Sequence, residues 1–263
     1  MPERRGREAP AWPAGFGADP GATVVCCDFD GTLAPIVGEP EAAVPLPGTR
    51  EILSSLLARS YRFAVVSGRP AAFLLDRLGG IPGLTLVGLY GMERVSAAGK
   101  TIRNRSALAW EPTLRAVALA ARPGEREGVL VEPKGLAVTL HWRTAPEPTR
   151  ARRWAEELAG EQARRLGLQV HLGRMSLELR PPVPTDKGAV VAEICRGAAS
   201  AAFLGDDAGD LPAFDALDQL DRSGTAAVRV AVRSPEAPAD LVARADLVVD
   251  GPEGALALLA SLP

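Results

Sequence analysis

Two aspartates, Asp28 and Asp30, stand two residues apart where the apolar run TVVCC gives way to Gly31 and Thr32. If that run is a strand, side chains two apart leave it on the same side, so both carboxylates face one region just as the chain turns. Carboxylates that close repel each other unless a cation or a proton lies between them. Other apolar runs end in the same way: RFAVV leads into Ser67 and Gly68, LTLVGL into Tyr90 and Gly91, and AAFLG into Asp206 and Asp207.

The elements that carry these residues follow from the rhythm of the chain. From Thr23 onward short Val-, Leu- and Ala-rich runs alternate with helical segments such as TREILSSLLARS and KGAVVAEICRG. Strands buried on both faces read as continuous apolar runs, and their alternation with helices predicts an α/β fold with a doubly wound parallel sheet. Ligands of such sheets bind at the carboxyl ends of the strands, so the polar run ends should meet in one crevice. The glycines of GFGADPG precede the first strand instead of following it, which argues against a nucleotide-binding loop there.

Between about residues 107 and 183 the rhythm changes. Helical WEPTLRAVALAAR is followed by a hairpin turning at Pro133 to Gly135, then helical TRARRWAEELAGEQARRL, then a hairpin turning near Gly173. This αββαββ order predicts a small α+β unit inserted into the parallel one. The expected organisation is a mobile tail over 1–20, a core domain over 21–106 and 184–263, and a cap domain over 107–183. Side chains alternate along a strand, so Leu136, Val138, Leu140 and Trp142 share one face, with Thr139, His141 and Arg143 on the other. Leu177 and Leu179 likewise oppose Ser176, Glu178 and Arg180. One face of the small sheet is apolar and can hold the two helices; the polar one can cover the crevice.

Composition narrows the partners. With 47% hydrophobic residues, 24% charged and a formal net charge of -2, the chain has no broad basic field, and a nucleic-acid partner is disfavoured. Cys26, Cys27 and Cys195 lack the paired spacing of a zinc site or a disulfide framework and read as buried, reduced core residues. No apolar stretch approaches the roughly 18 to 20 residues of a membrane helix, and the N-terminus lacks the apolar core of a secretory signal. The expectation is a cytoplasmic protein without a membrane partner. A monomer is compatible with the sequence, which fixes no oligomeric state.

DFDGTLAPI, then SGR, then the lysine of DKG, then GDD occur in that order, and the set resembles the haloacid dehalogenase superfamily of phosphotransferases over essentially the whole chain after the tail. The resemblance implies Asp28 as a nucleophile that forms an aspartyl-phosphate and Asp30 as general acid and base. It also implies Ser67 and Lys187 as the phosphate-binding pair. Mg²⁺ would be held by Asp28, the Asp30 carbonyl and Asp206, with Asp207 and Asp210 supporting it directly or through water. The physical logic agrees, since a carboxylate attacks phosphorus only when its charge and that of the phosphate are offset. Mg²⁺ takes hard oxygen ligands and keeps several waters, so few aspartates suffice. Ser67 can donate to a phosphoryl oxygen, and Gly68 lets the backbone come close. Arg69 either touches phosphate or pairs with a neighbouring loop.

In more detail the chain is similar to trehalose-6-phosphate phosphatases, through DFDGTLAPI, SGRP, GLYGMER, EPKGLAVTLHWR, LELRPP with DKG, and GDDAGD. That resemblance implies Mg²⁺-dependent hydrolysis of trehalose 6-phosphate to trehalose and phosphate. The sugar would be reached by Glu132, Lys134, His141, Arg143, Glu178 and Arg180 of the cap, although charged residues on a strand face are as a rule simply solvated. GDDAGDL stands where the family commonly has GDDxTDE, Tyr90 where a histidine is frequent, and HWR in place of HYR. Two alternatives remain open: a phosphatase of another sugar phosphate, such as sucrose phosphate or a glycosyl-phosphoglycerate, and a non-catalytic domain that binds a sugar phosphate and regulates a partner.

Overall fold

The computed structural model describes residues 10–234 and 237–263. Its strands are β1 (Thr23–Cys27), β2 (Arg62–Val66), β3 (Thr85–Gly88), β4 (Glu93–Val95), β5 (Thr101–Arg103), β6 (Leu130–Pro133), β7 (Val138–His141), β8 (Gln169–Gly173), β9 (Ser176–Arg180), β10 (Ser200–Gly205), β11 (Ala226–Arg233) and β12 (Leu247–Asp250). The helices are α1 (Thr49–Ala58), α2 (Ala71–Leu78), α3 (Arg105–Leu108), α4 (Glu111–Ala121), α5 (Pro148–Leu166), α6 (Lys187–Ile194), α7 (Leu211–Arg222), α8 (Ala239–Arg244) and α9 (Gly251–Ala260). Strands β12-β11-β10-β1-β2-β3 lie side by side and parallel. The antiparallel strands β4 and β5 extend the sheet at the β3 edge.

Alternation of side chains divides the central strands between two apolar layers, as a doubly wound sheet requires. Val25 and Cys27 of β1, Phe63 and Val65 of β2, and Ala202 and Leu204 of β10 meet Leu53, Leu74 and Leu258 of α1, α2 and α9. Their neighbours Val24, Cys26, Ala64, Val66, Ala201 and Phe203 face the other way, onto Val190, Phe214 and Leu241 of α6, α7 and α8. Burying each large apolar side chain in these layers contributes about 1.5 to 3 kcal/mol, which makes the sheet the rigid part on which a site can be built. The three cysteines are buried free thiols. No helix among the described residues is long and apolar enough to cross a membrane.

Part of the segment expected to be a mobile tail is folded onto this core. Residues 1–9 lie outside the described residues, but Phe16 is buried, Trp12 stacks on it with centroids 4.7 Å apart, and Trp12 Nε1 donates to the Leu258 carbonyl at 2.8 Å. The Pro and Gly content that suggested mobility hides two aromatic anchors, which is where the expectation fails.

Strands β6-β7-β9-β8 form a second, wholly antiparallel sheet between α3 and α6. Val138 and Leu140 of β7 and Leu177 and Leu179 of β9 face Leu114, Val117, Ala151 and Ala155 of α4 and α5, so this inserted unit has a core of its own. Leu136, expected on the same strand face, precedes β7 and packs with Leu89, Met92 and Ala107 at the junction of the two sheets instead. The other face of the cap sheet is polar. Its register sets Glu132, Thr139, Glu178 and His171 in one row across all four strands.

Candidate active site

The carboxyl ends of β1, β2 and β10 open into a cleft of about 430 Å³ whose far wall is the polar face of the cap sheet. Asp28 follows β1 directly, and its amide bonds the Leu204 carbonyl of β10, which fixes it to the sheet at 2.9 Å. Its Oδ1 accepts from the Phe29 amide at 2.7 Å and its Oδ2 lies 2.7 Å from Lys187 Nζ. Lys187 is the first residue of α6, whose N-cap Asp186 accepts from Ala189 N. The same ammonium reaches Asp210 Oδ1 at 2.6 Å. Asp206 follows β10, and its carboxylate packs against Gly31, where any β-carbon would run into it; Gly31 is also left-handed at φ +74.

Asp28, Asp206 and Asp210 are all buried, and each offers an oxygen within 4.8 Å of the other two. Burial, together with Asp210 and Asp207, pushes the Asp28 carboxyl up to about 8 against the pull of Lys187. Burial, with Asp210 and Asp28, raises Asp206 to about 9, although Arg174 opposes it. The cluster is short of positive charge, and its donors are hard carboxylate oxygens. That is a fit for a small divalent cation such as Mg²⁺.

Asp210 holds Lys187 with Oδ1 and accepts from the Asp206 and Asp207 amides with Oδ2, so both its oxygens already order the loop after β10. Asp207 lies outside the cluster, and its Oδ1 caps the turn by accepting from Gly209 N at 2.8 Å. Asp30 also stands apart from the three. Both its oxygens are held by Arg69, Nε to Oδ2 and Nη2 to Oδ1, each at 2.7 Å. Of the two readings left open for Arg69, the structure displays the loop pairing, and Arg69 further stacks over Phe73 at 4.7 Å. Ser67 is buried, and its Oγ accepts from the Arg69 amide at 3.2 Å. Gly68 is required because a side chain there would strike the Tyr90 ring.

On the cap wall charges alternate in sign. Lys134 Nζ lies 2.9 Å from Glu178 Oε2 and 3.6 Å from Glu132 Oε2; His141 Nε2 lies 2.7 Å from Glu132 Oε2, and Thr139 Oγ1 donates to Glu178 at 2.8 Å. Arg180 pairs with Glu178 and lies over the Tyr90 ring, 3.3 Å from its centroid. Burial alone would raise Glu178, but Lys134 and Arg180 outweigh it and hold the carboxyl at about 2. Burial would lower Lys134, yet Glu178 and Glu132 raise it above its usual value. Arg143 lines the cleft as well. Every candidate catalytic, metal or substrate residue other than Asp210 therefore lies on the wall of this one cleft, with Asp210 directly behind it, whereas Gly91, expected in the same crevice, lines a different pocket.

Tyr90, His171 and Arg174 also line the cleft and are among the residues not singled out as site groups. Tyr90, left-handed at φ 56, supports Gly68 and Arg180, and burial pushes its hydroxyl up to about 12. His171 completes the polar row, and strand alternation in LQVHLG would have placed it there. Arg174, at the tip of the β8–β9 hairpin, reaches across the cleft to Asp206 with Nη1 2.9 Å from Oδ2; no periodicity marks a turn residue of this kind.

A family described as trehalose-phosphatase matches residues 26–245. The trehalose-phosphate phosphatase of Mycobacterium avium (strain 104) is 38% identical over 201 residues, 72% of this chain and 50% of that protein. That of Mycobacterium leprae (strain TN) is 34% identical over 223 residues, 80% and 50% respectively. This chain thus spans about half the length of the curated relatives it matches. Among solved structures, the C-terminal domain of Candida albicans trehalose-6-phosphate phosphatase shares the fold with a TM-score of 0.77 at 23% identity, over 94% of this chain and 93% of that one. An Aspergillus fumigatus trehalose-6-phosphate phosphatase gives 0.60 at 26% identity, over 94% of each chain.

Proposed function

Because the chain belongs to the trehalose-phosphatase family, we propose that it hydrolyses trehalose 6-phosphate to trehalose and phosphate through an aspartyl-phosphate on Asp28. The observation that carries this reading is the meeting of two unlike walls in one cleft: Asp28 with Lys187 at 2.7 Å on the core, and Lys134 with Glu178 at 2.9 Å on the cap. The first suits a phosphoryl group and the second a polyhydroxylated sugar.

Mg²⁺ held by Asp28, Asp206 and the Asp30 carbonyl, with Asp207 and Asp210 in support, would offset the charge of phosphate and carboxylate. Lys187 and the Ser67 hydroxyl bind the phosphoryl oxygens. An Asp28 oxygen attacks phosphorus, the bond from phosphorus to the sugar oxygen breaks, and that oxygen takes a proton from Asp30. Water then attacks the same phosphorus, passes its proton to Asp30, and the bond to Asp28 breaks to free inorganic phosphate. Arg69 grips both oxygens of Asp30, so this pair has to open for Asp30 to reach the leaving sugar oxygen. Phosphate drawing Arg69 toward itself would open it. Glu132, Lys134, His141, Arg143, Glu178 and Arg180 hydrogen-bond the sugar hydroxyls. The inserted unit, residues 107–183, works as a lid on 21–106 and 184–263, turning about 104–107 and 181–184 to admit substrate and then exclude water.

The test is phosphate release from a panel of trehalose 6-phosphate, sucrose 6-phosphate, a glycosyl-phosphoglycerate and glucose 6-phosphate, with Mg²⁺ and with excess chelator. Trehalose 6-phosphate is expected to lead the panel, and all turnover to stop in chelator. Preference for another ester overturns the substrate. Undiminished turnover in chelator overturns the metal, and no turnover on any ester leaves a non-catalytic domain.

A further inference from the structure

Beyond the Leu136 junction and the Arg180–Tyr90 stack, polar side chains of the cap meet the core on two lips of the cleft, and the contact on one of them bears on the carboxylate cluster. On the phosphate-loop side Lys134 Nζ lies 3.5 Å from the Gly68 carbonyl and Arg69 Nη1 lies 3.8 Å from Glu132. On the opposite side Arg174 grips Asp206 at both ends: Nη1 is 2.9 Å from Oδ2, and Nη2 donates to the Asp206 backbone carbonyl. The hairpin delivers this guanidinium firmly. Gly173 pairs with Ser176 in register, and the Met175 carbonyl accepts from the Trp142 amide at 2.9 Å.

An arginine that serves only to tie two surfaces together has its donors filled. Arg174 does not: its side chain is 17% exposed, yet Nε and Nη1 are both buried without a hydrogen-bond acceptor among the described residues, and Nη1 meets Asp206 as an ion pair only. What holds it in place is the charge of the Asp206 carboxylate and the single bond to the Asp206 carbonyl. The contacted oxygen belongs to the carboxylate that, on the reading above, would bind the divalent ion. A guanidinium and a divalent ion on one carboxylate repel each other.

We propose that Arg174 is a positioning residue through which the cap holds Asp206 in the metal-free protein, its guanidinium standing in for the divalent ion, so that the Arg174–Asp206 contact and metal binding oppose each other. Linkage makes the effect reciprocal. By whatever factor the closed Arg174 contact lowers metal affinity, bound metal weakens that contact by the same factor. The metal therefore enters with the cap released on this lip, and Arg174 returns to Asp206 when the ion leaves. The inference rests on the metal reading proposed above and adds to it that a cap residue controls the site.

Calorimetric titration of Mg²⁺ into the metal-free protein tests it without measuring turnover. Arg174→Gln is expected to bind Mg²⁺ about 5- to 50-fold more tightly than the wild type. Arg174→Lys, which keeps the charge but loses the fork, should fall between them. In hydrogen exchange, Mg²⁺ should loosen residues 170–180 of the wild type and leave the already loosened hairpin of Arg174→Gln unchanged. Equal or weaker Mg²⁺ binding by Arg174→Gln overturns the inference, weaker binding meaning that the guanidinium orders Asp206 for the ion. Should that variant not fold, wild-type exchange alone decides, and a hairpin insensitive to Mg²⁺ overturns it. Asp206→Ala separates the two readings. If it loses Mg²⁺ while Arg174→Gln titrates as wild type, only the coupling falls; if Asp206→Ala also titrates as wild type, the metal site falls with it.

Discussion

Across the cleft two polar walls face each other with opposite electrostatic characters. On the core wall three buried carboxylates, Asp28, Asp206 and Asp210, share Lys187 and the cap's Arg174, and burial with mutual repulsion lifts Asp28 to about 8 and Asp206 to about 9. On the cap wall Glu132, Lys134, Glu178 and Arg180 alternate, and Glu178 is held at about 2 because Lys134 and Arg180 outweigh its burial. The first wall is incomplete until positive charge arrives. The second is already satisfied, and a ligand must compete with its internal pairs. Removing a group from the core wall should thus cost chemistry and spare the fold, whereas removing one from the cap wall should cost selectivity and stability.

The largest effect expected is at Asp28. Asp28→Asn keeps the oxygen that accepts from Phe29 N and removes a carboxylate that the fold holds at a cost, so thermal stability should be at least that of the wild type. Turnover should fall by more than about 10⁴-fold, because an amide does not attack phosphorus. Trapping with beryllium fluoride should vanish with it. Residual activity above a small fraction, once deamidation is excluded by mass spectrometry, would break the comparison at its strongest point.

Next come Lys134 and His141 on the cap wall, of which Lys134 also reaches the Gly68 carbonyl across the cleft at 3.5 Å. Lys134→Ala or His141→Ala should each lower kcat/KM for trehalose 6-phosphate by about 10- to 1000-fold, or about 1.4 to 4 kcal/mol. Hydrolysis of p-nitrophenyl phosphate should change little, since that ester has no second ring to meet the cap. The ratio of the two efficiencies is the measurement. Equal losses on both substrates would assign these side chains to the core chemistry or to stability, and no loss on either would make them a solvated face.

Much of this arrangement was legible in the chain. The carboxyl ends of TVVCC, RFAVV and AAFLG had to converge once the runs were read as parallel strands, and Asp28, Ser67 and Asp206 do converge. Alternation in VTLH and SLELR placed Thr139, His141 and Glu178 on one face because a strand leaves its side chains no other choice. What escaped depends on tertiary contact without local signature. The strands ERV and TIR are three residues each, and β5 is fully exposed, so no apolar run announces the antiparallel edge. The Arg69–Asp30 pair joins residues 39 apart, and Arg174 meets Asp206 from a turn 32 residues away. Trp12 and Phe16 find the core from a segment whose composition reads as tail.

The smallest effect, and the one that separates the walls by sign, concerns Glu178 and pH. Its carboxyl moves from an ordinary 4.5 down to about 2, so between these values the unfolded chain binds the proton that the folded one does not. Stability should therefore rise with pH across that window, be fully present above about 4.5, and be lost as the pH falls through about 2. The shift corresponds to at most about 3 kcal/mol, an upper limit because the glutamine of Glu178→Gln can still accept from Lys134 and Thr139. Three of the four tryptophans, Trp110, Trp142 and Trp154, lie in the cap, so urea unfolding followed by fluorescence reports on the unit that contains Glu178. Glu178→Gln should be less stable than the wild type at pH 7, and the gap should close on acidification toward pH 2 to 3. A gap that is constant with pH would mean that shape, not charge, explains the loss. A gap that widens on acidification would show Glu178 to be raised like Asp28, and the contrast between the walls would fail.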